Sequence, residues 1–296
     1  MKAMTERKLR ENLSAYLFVG PFVVLCALFI IYPIFRGFIN SLYNTKWRAT
    51  VYVGLQNYKT IFSNATSMLA IKNSLLFVAT VVPLLIIFGI WISGSIFDKR
   101  RLYVSGVRAV LYIPVIASMV VMSIIWRFIL DSQSGLVRYF CMLLGLKPVN
   151  VLADPTYTIY LLIFILFTMN IGQCVVLYTA DMLSIPNDLL EACRIDGGGR
   201  LDMFRYILIP LTKNTTIFTF ITQTASVFKV FIVIQLLTRG GPNYKTTTMM
   251  YLLYEYAFGN NINTGVASAM GVLMFVISLV LITLRFVFIR REKEAM

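Results

Sequence analysis

Residues 157–179 read YTIYLLIFILFTMNIGQCVVLYT, a run without one acid, lysine or arginine. A helix needs roughly 20 apolar residues to cross about 30 Å of hydrocarbon, so this run is long enough to span a bilayer. Similar apolar runs occupy 15–35, 75–97, 110–130, 217–237 and 266–289. Alternation of strand length, the mark of an outer-membrane barrel, is absent, and a helix satisfies its backbone groups within its own span. The expected fold is an all-α integral membrane domain over 1–296, with six transmembrane helices and both termini on one side.

Composition agrees: the 296 residues are 58% hydrophobic and only 14% charged, far from the balance of a soluble domain. The first run follows Lys2, Arg7, Lys8 and Arg10 but lacks a small-residue cleavage site. Leu25 directly before Cys26 also argues against a lipoprotein box, so the run reads as a retained span.

Basic residues concentrate in the N-terminal flank, in 98–108, in 182–213 and in the C-terminal tail. The positive-inside rule therefore places both termini and the 182–213 loop in the cytoplasm of a multi-pass protein of the cell membrane. The net charge of +14 is explained by this topology rather than by nucleic acid, because no basic helix face or stacking platform gathers it. Histidine is absent, which removes the usual general base and imidazole metal ligand. Cys26, Cys141, Cys174 and Cys193 show no CxxC spacing, so no metal, catalytic or disulfide site is expected.

Two half-apolar stretches outside the spans, VGLQNYKTIF (53–62) and GLVRYFCMLLGL (135–146), are of a kind that lies as short helices along the membrane surface. In GGPNYKTTT (240–248), Lys245 and Thr246 resemble the end of a phosphate loop, but Tyr244 stands at the required glycine. With no nucleotide site of its own, the chain must take energy from a partner or an ion gradient.

The most polar segment is the loop 181–213. Asp181, Asp188, Glu191, Asp196 and Asp202 are five of the thirteen acids in the chain, and Arg194, Arg200, Arg205 and Lys213 accompany them. Pro186 suits a helix start and Asp188 its first turn, while Leu189, Ala192 and Cys193 recur at three and four to make one apolar face. Gly197, Gly198 and Gly199 break that helix, since glycine costs about 1 kcal/mol relative to alanine and tolerates left-handed backbone. Leu201, Phe204, Ile207, Leu208 and Leu211 then recur helically up to the fifth span. The expected shape is helix, glycine turn, helix, and its mixture of apolar face and charges of both signs suits docking into another protein.

The residues Glu191, Ala192, Cys193, Asp196, Gly197, Phe204, Ile207 and Pro210 resemble the EAA loop of ABC importer permeases, EAA-x2-DGA-x5-F-x2-I-x2-P. Cys193 replaces the second alanine of the name, Gly198 replaces the alanine after the glycine, and Asn214 stands where many members have a final proline. LLTRGGPNYKTTT (236–248), Tyr254, Ala257, Phe258, GVASAMGVLMFVI (265–277) and VGLQNY (53–58) are similar to the carbohydrate branch of that family. Within it they resemble the subunit type of the larger maltose permease subunit or the first glycerol-phosphate permease subunit.

The resemblance implies a type I ABC importer permease fold and a transport subunit without enzymatic activity. It implies partners as well: a second homologous permease, two ATPase subunits that bind ATP and Mg, an extracytoplasmic substrate-binding protein and a sugar. By this carry-over Glu191, Ala192, Asp196 and Gly197 form the ATPase contact and its turn, and Phe204 and Pro210 anchor the loop to the fifth span. Glycerol phosphate or a polyol is the alternative cargo.

Polar groups inside a membrane usually face a cavity or the bundle interior. Thr215, Thr219, Thr222, Ser226 and Lys229 share one face of the fifth span, and Asn170 and Gln173 share a face of the fourth. Amides suit sugar hydroxyls because they donate and accept, and Phe228 can stack on a sugar ring. Asn170, Gln173, Thr222, Ser226, Phe228 and Lys229 are thus the candidate substrate path. Packing is the competing role: threonines also bond their own backbone, and Lys229 can snorkel to the headgroups. A membrane enzyme would show a His, paired-acid or metal constellation, and a gradient-driven carrier an inverted repeat or buried acids. Neither pattern is visible.

Overall fold

The computed structural model describes residues 16–46, 49–146, 150–259 and 262–294, the side chains of 45, 46, 49 and 284–294 excepted. The basic flank Lys2, Arg7, Lys8 and Arg10 lies outside the described residues, as do both termini. The chain divides into two compact units, Met1–Ser63 with Leu253–Val276 and Asn64–Leu252 with Ile277–Met296.

In the first unit, α1 (Tyr16–Asn40) is long and apolar enough to cross a membrane and includes a π-helical turn, Ala27–Ile31. A hairpin of β1 (Tyr43–Lys46) and β2 (Ala49–Tyr52) follows, with Tyr43 opposite Tyr52. These strands are four residues each, too short to be read as alternation. The helix α2 (Gln56–Ser63) overlaps the surface stretch 53–62. Buried Asn57 ties it to the chain before it, donating to the carbonyls of Ser41 (2.8 Å) and Tyr43 (2.9 Å).

The second unit opens with α3 (Ala65–Ile96), N-capped by the Asn64 side chain, which accepts from the amides of Thr66 and Ser67. Its 32 residues extend about 48 Å at 1.5 Å per residue, more than the hydrocarbon thickness. The third expected span, 110–130, is bent. It consists of α4 (Arg101–Ile116) and α5 (Met119–Ile129), which meet at 97°. Ala117 and Ser118 are extended (ψ 139° and 148°), and the Ser118 hydroxyl accepts from the Val121 amide and so starts a new helix. An uninterrupted apolar run hid this cap. The helix α6 (Leu136–Leu143) falls in the second surface stretch.

The fourth span is α7 (Tyr157–Leu183). Glycines let it approach its neighbours: a Cβ on Gly172 would lie 2.0 Å from the Leu111 carbonyl of α4, and one on Gly89 of α3 would lie 3.1 Å from Cys174 and Tyr178. Buried Ser93 donates to the Val175 carbonyl (3.1 Å), so α3 and α7 are also hydrogen-bonded.

After α7 come α8 (Asn187–Ile195) and α9, which consists of Arg200–Met203, a π-helical turn Phe204–Leu208 and Ile209–Leu211. The fifth span is again broken, into α10 (Lys213–Phe228) and α11 (Ile232–Leu237). The Thr248 hydroxyl donates to the Val230 carbonyl released by the break (3.1 Å). The helices α12 (Met249–Phe258) and α13 (Thr264–Glu294) complete the chain. Among the described residues five helices are long and apolar enough to span a membrane, six when the bent pair is counted as one span.

Candidate functional site: the helix-turn-helix of 187–211

The turn after α8 is built by backbone hydrogen bonds. Gly198 N–H donates to the Cys193 carbonyl (2.8 Å) and Gly197 N–H to the Arg194 carbonyl (3.1 Å), the paired bonds of a Schellman cap. Gly197 has φ +82°, a left-handed conformation that carries a steric penalty for any residue with a Cβ. The next helix starts where Gly199 N–H donates to Asp202 Oδ2 (2.9 Å). Helix, turn and helix therefore stand where the glycine triplet and apolar spacing place them.

Gly198 is constrained differently. A Cβ there would lie 2.6 Å from Cys193 Sγ and 2.8 Å from the Cys193 carbonyl oxygen. Two of the three departures from the EAA pattern thus meet in space, the thiol and the carbonyl of residue 193 together occupying the room that a methyl at 198 would need.

The apolar face differs from the expectation. Leu190 and half-buried Cys193 point inward, against Met182, Met203 and Leu208, with Phe204 and Ile207 alongside. Leu189 and Ala192 are exposed, as are Ile195 (84%) and Leu201 (75%). Leu190 with Cys193 satisfies helical spacing as well as Leu189 with Cys193 does, and Leu190 can fill the space between Met182 and Met203. Leu211 is also exposed, at 48%.

Part of the loop's charge serves its own fold. Arg194 pairs with Asp98 (3.4 Å), Arg200 donates to the Ser95 carbonyl (3.1 Å), and Arg205 lies over the Tyr206 ring. Asp188, Glu191 and Asp196 are exposed beside Leu189, Ala192 and Ile195. Phe204, expected to anchor the loop to the fifth span, has its ring against Gly94 of α3. Pro210 lies in the last turn of α9, one residue before the junction with α10.

The candidate path residues are partly brought together. Gln223 Nε2 donates to Gln173 Oε1 (3.3 Å), joining α10 to α7. Asn170 is buried and donates to the Leu166 carbonyl (2.7 Å), while Thr222 donates to the Phe218 carbonyl (2.9 Å). Ser226 is half-buried, Phe228 is buried in this conformation, and Lys229 is exposed as the C-cap of α10. Gln223 was missed by the spacing argument, which followed the hydroxyl stripe. Its Oε1 and the hydroxyls of Thr219 and Thr224 are buried without a hydrogen-bond partner among the described residues. No group of His, Cys, Asp and Glu suited to a metal occurs among those residues.

The chain is similar to curated proteins along nearly its whole length. It is 28% identical to the probable ABC transporter permease protein YurN of Bacillus subtilis (strain 168), covering 96% of this chain and 99% of that protein. It is 30% identical to the trehalose/maltose transport system permease protein MalF of Thermococcus litoralis, covering 92% of each. Its fold matches a chain in the crystal structure of a bacterial ABC transporter involved in the import of the acidic polysaccharide alginate, with TM-score 0.85, 21% identity and coverage of 97% and 99%. The family model for the binding-protein-dependent transport system inner membrane component matches residues 75–294. The chain therefore belongs to that family, the membrane permeases of binding-protein-dependent ABC transporters.

Proposed function

We propose that the chain is a permease subunit of an ATP-driven importer that moves a carbohydrate into the cytoplasm, and that 187–211 is the piece that docks into a cleft of a separate ATPase. The observation that carries the coupling role is the outward face of Leu189, Ala192, Ile195 and Leu201 on a loop whose inward face is already packed. An apolar surface with acids at its edge is what a partner cleft would bury. Glu191 and Asp196 set register at that contact, and Gly197 sets the angle between the two helices. ATP and Mg are bound by the partner. A second permease and an extracytoplasmic binding protein complete the assembly in the cell membrane, both termini of this chain facing the cytoplasm.

Relatives named for trehalose/maltose, lactose, alpha-glucoside and arabinooligosaccharide transport support a sugar as cargo. The Gln173–Gln223 pair supplies amide donors and acceptors between two spans. Asn170, Thr222, Ser226, Phe228 and Lys229 extend the path along the same helices. Phe228 becomes available for stacking only when α10 moves, because its side chain is buried here.

The test is purification of the chain from its native membrane, followed by ATPase assays with maltose, trehalose, lactose, arabinooligosaccharides and glycerol 3-phosphate. Co-purification of an ATPase and sugar-stimulated hydrolysis are expected. Absence of an ATPase would overturn the coupling reading, and stimulation by glycerol 3-phosphate alone would overturn the sugar.

A further inference from the structure

By chain continuity the loop 187–211 leads into α10, the fifth span. Its side chains lead elsewhere. Three contacts of different chemistry converge on the last turn of α3 and the residues just beyond it. The Phe204 ring lies where Gly94 has no side chain: a Cβ on Gly94 would be 2.3 Å from Phe204 Cε2 and 2.5 Å from Cδ2. Arg200 donates to the Ser95 carbonyl at 3.1 Å. That carbonyl is among the last four of α3, which have no partner within the helix, and a cation is favoured at this negative end of the helix dipole. Arg194, on the other helix of the loop, pairs with Asp98 at 3.4 Å.

We propose that these contacts strap the loop to α3, so that a push on the loop is delivered to the second span as well as to the fifth, with Gly94 as the positioning residue. This rests on the coupling role proposed above. Both halves of the loop are attached, α8 through Arg194 and α9 through Arg200 and Phe204, and the Schellman turn joins the halves. At the other route the helix is interrupted: Thr212, between α9 and α10, has φ −84° and ψ 13°. From its strapped end α3 continues as one helix along α7, held by the close approach at Gly89 and the Ser93–Val175 hydrogen bond. Displacement of Gly94 is thereby passed along α3, which continues as one helix through its interior Pro83, toward its far end. Phe204 opens a π-helical turn, a local widening often found at functional positions, and that turn carries its ring to Gly94.

The Asp98–Arg194 pair is about half exposed on both sides, so it adds little stability. A change in coupling on breaking it would therefore not be a folding effect. Gly94 offers the sharper test. The complete complex, with its ATPase, partner permease and binding protein, is placed in lipid nanodiscs. A bimane label is attached at Lys72→Cys near the opposite end of α3, in a background with the native cysteines replaced by alanine. The readout is the fluorescence change on adding ATP and vanadate, with ATP hydrolysis measured beside it.

In Gly94→Val the change is expected to fall about fivefold while hydrolysis stays within about twofold of wild type. An unaltered fluorescence change would overturn the strap. Should Gly94→Val fail to assemble, Gly94→Ala is compared with Gly94→Ala/Phe204→Leu, in which the smaller side chain restores room. Recovery in the double variant supports the strap, and identical signals in the two overturn it. If no ATPase assembles with the unsubstituted chain, the coupling role itself has failed, a result read before any variant is made.

Discussion

Two glycine turns in the same unit solve opposite problems. At 197–199 the turn is exposed at Gly197 and Gly199 and half-buried at Gly198, its shape comes from backbone hydrogen bonds, and its helices keep apolar and acidic side chains outward. At 240–242 the turn belongs to a segment tied down by buried hydroxyls and an amide. Asn73 of α3 donates to the carbonyls of Lys245 (2.8 Å) and Thr247 (2.9 Å), and Ser74 accepts from the Met249 amide (2.9 Å). Thr246, Thr247 and Thr248 are fully buried. Arg239, Asn243 and Tyr244 hold left-handed backbone there (φ 51°, 50° and 59°), which side chains adopt only when the surroundings impose it. The second turn is a fixed part, whereas the first keeps its surface free for something else. Glycine content alone does not separate them; what differs is where the neighbouring polar groups are satisfied.

Removing the amide that secures the fixed turn gives the largest expected effect on stability. Asn73→Ala leaves two carbonyls without their donor, and a buried polar group deprived of its partner costs about 1–3 kcal/mol. A clear drop of the thermal midpoint in detergent is expected, and an unchanged midpoint would equate the two turns.

Gly197→Val addresses the other side of the comparison. The left-handed position costs about 1–3 kcal/mol, so insertion into the membrane survives, but the angle between α8 and α9 changes and sugar uptake should be abolished. Normal uptake would remove the coupling role from this turn.

Gly198→Ala is expected to be milder, about 1–2 kcal/mol by overpacking against Cys193. Adding Cys193→Ala should return part of that loss, with a coupling of about 1 kcal/mol in a double-mutant cycle of thermal stability. Strict additivity would show that the thiol and the glycine are independent.

The smallest effect is expected at Asp131, which follows α5. The amides of Ser134 and Gln133 and the Ser134 hydroxyl donate to its carboxylate, holding its pKa below the ordinary carboxylate value. A depressed folded-state pKa contributes stability above the unfolded-state value and loses it as pH falls through the folded-state one. Asp131→Asn should lower the thermal midpoint slightly at neutral pH, where the contribution is present, and flatten the acid limb of its pH titration, so that the two proteins converge at low pH.

The membrane spans and the glycine turn could be read from the sequence because each follows from a local rule. Length and apolarity mark 157–179, and three glycines cannot prolong a helix. The bend at Ala117–Ser118 was hidden because a serine that caps a helix looks, inside an apolar run, like any small polar residue. The orientation of α8 was ambiguous, since both Leu189 and Leu190 can pair with Cys193, and only the position of Met182 and Met203 decides between them. The contact of Gly94 with Phe204 joins residues far apart in the chain, and no periodicity in either segment points to the other. Gln223 was overlooked because its partner Gln173 lies on a different span.

The meeting of Cys193 with Gly198 also bears on which substitutions the turn accepts. A methyl at 198 would lie 2.8 Å from the Cys193 carbonyl oxygen whatever side chain stands at 193, and the thiol, 2.6 Å away, narrows the space further. Glycine at 198 therefore leaves position 193 free to carry a larger side chain, whereas a thiol at 193 leaves position 198 little but glycine.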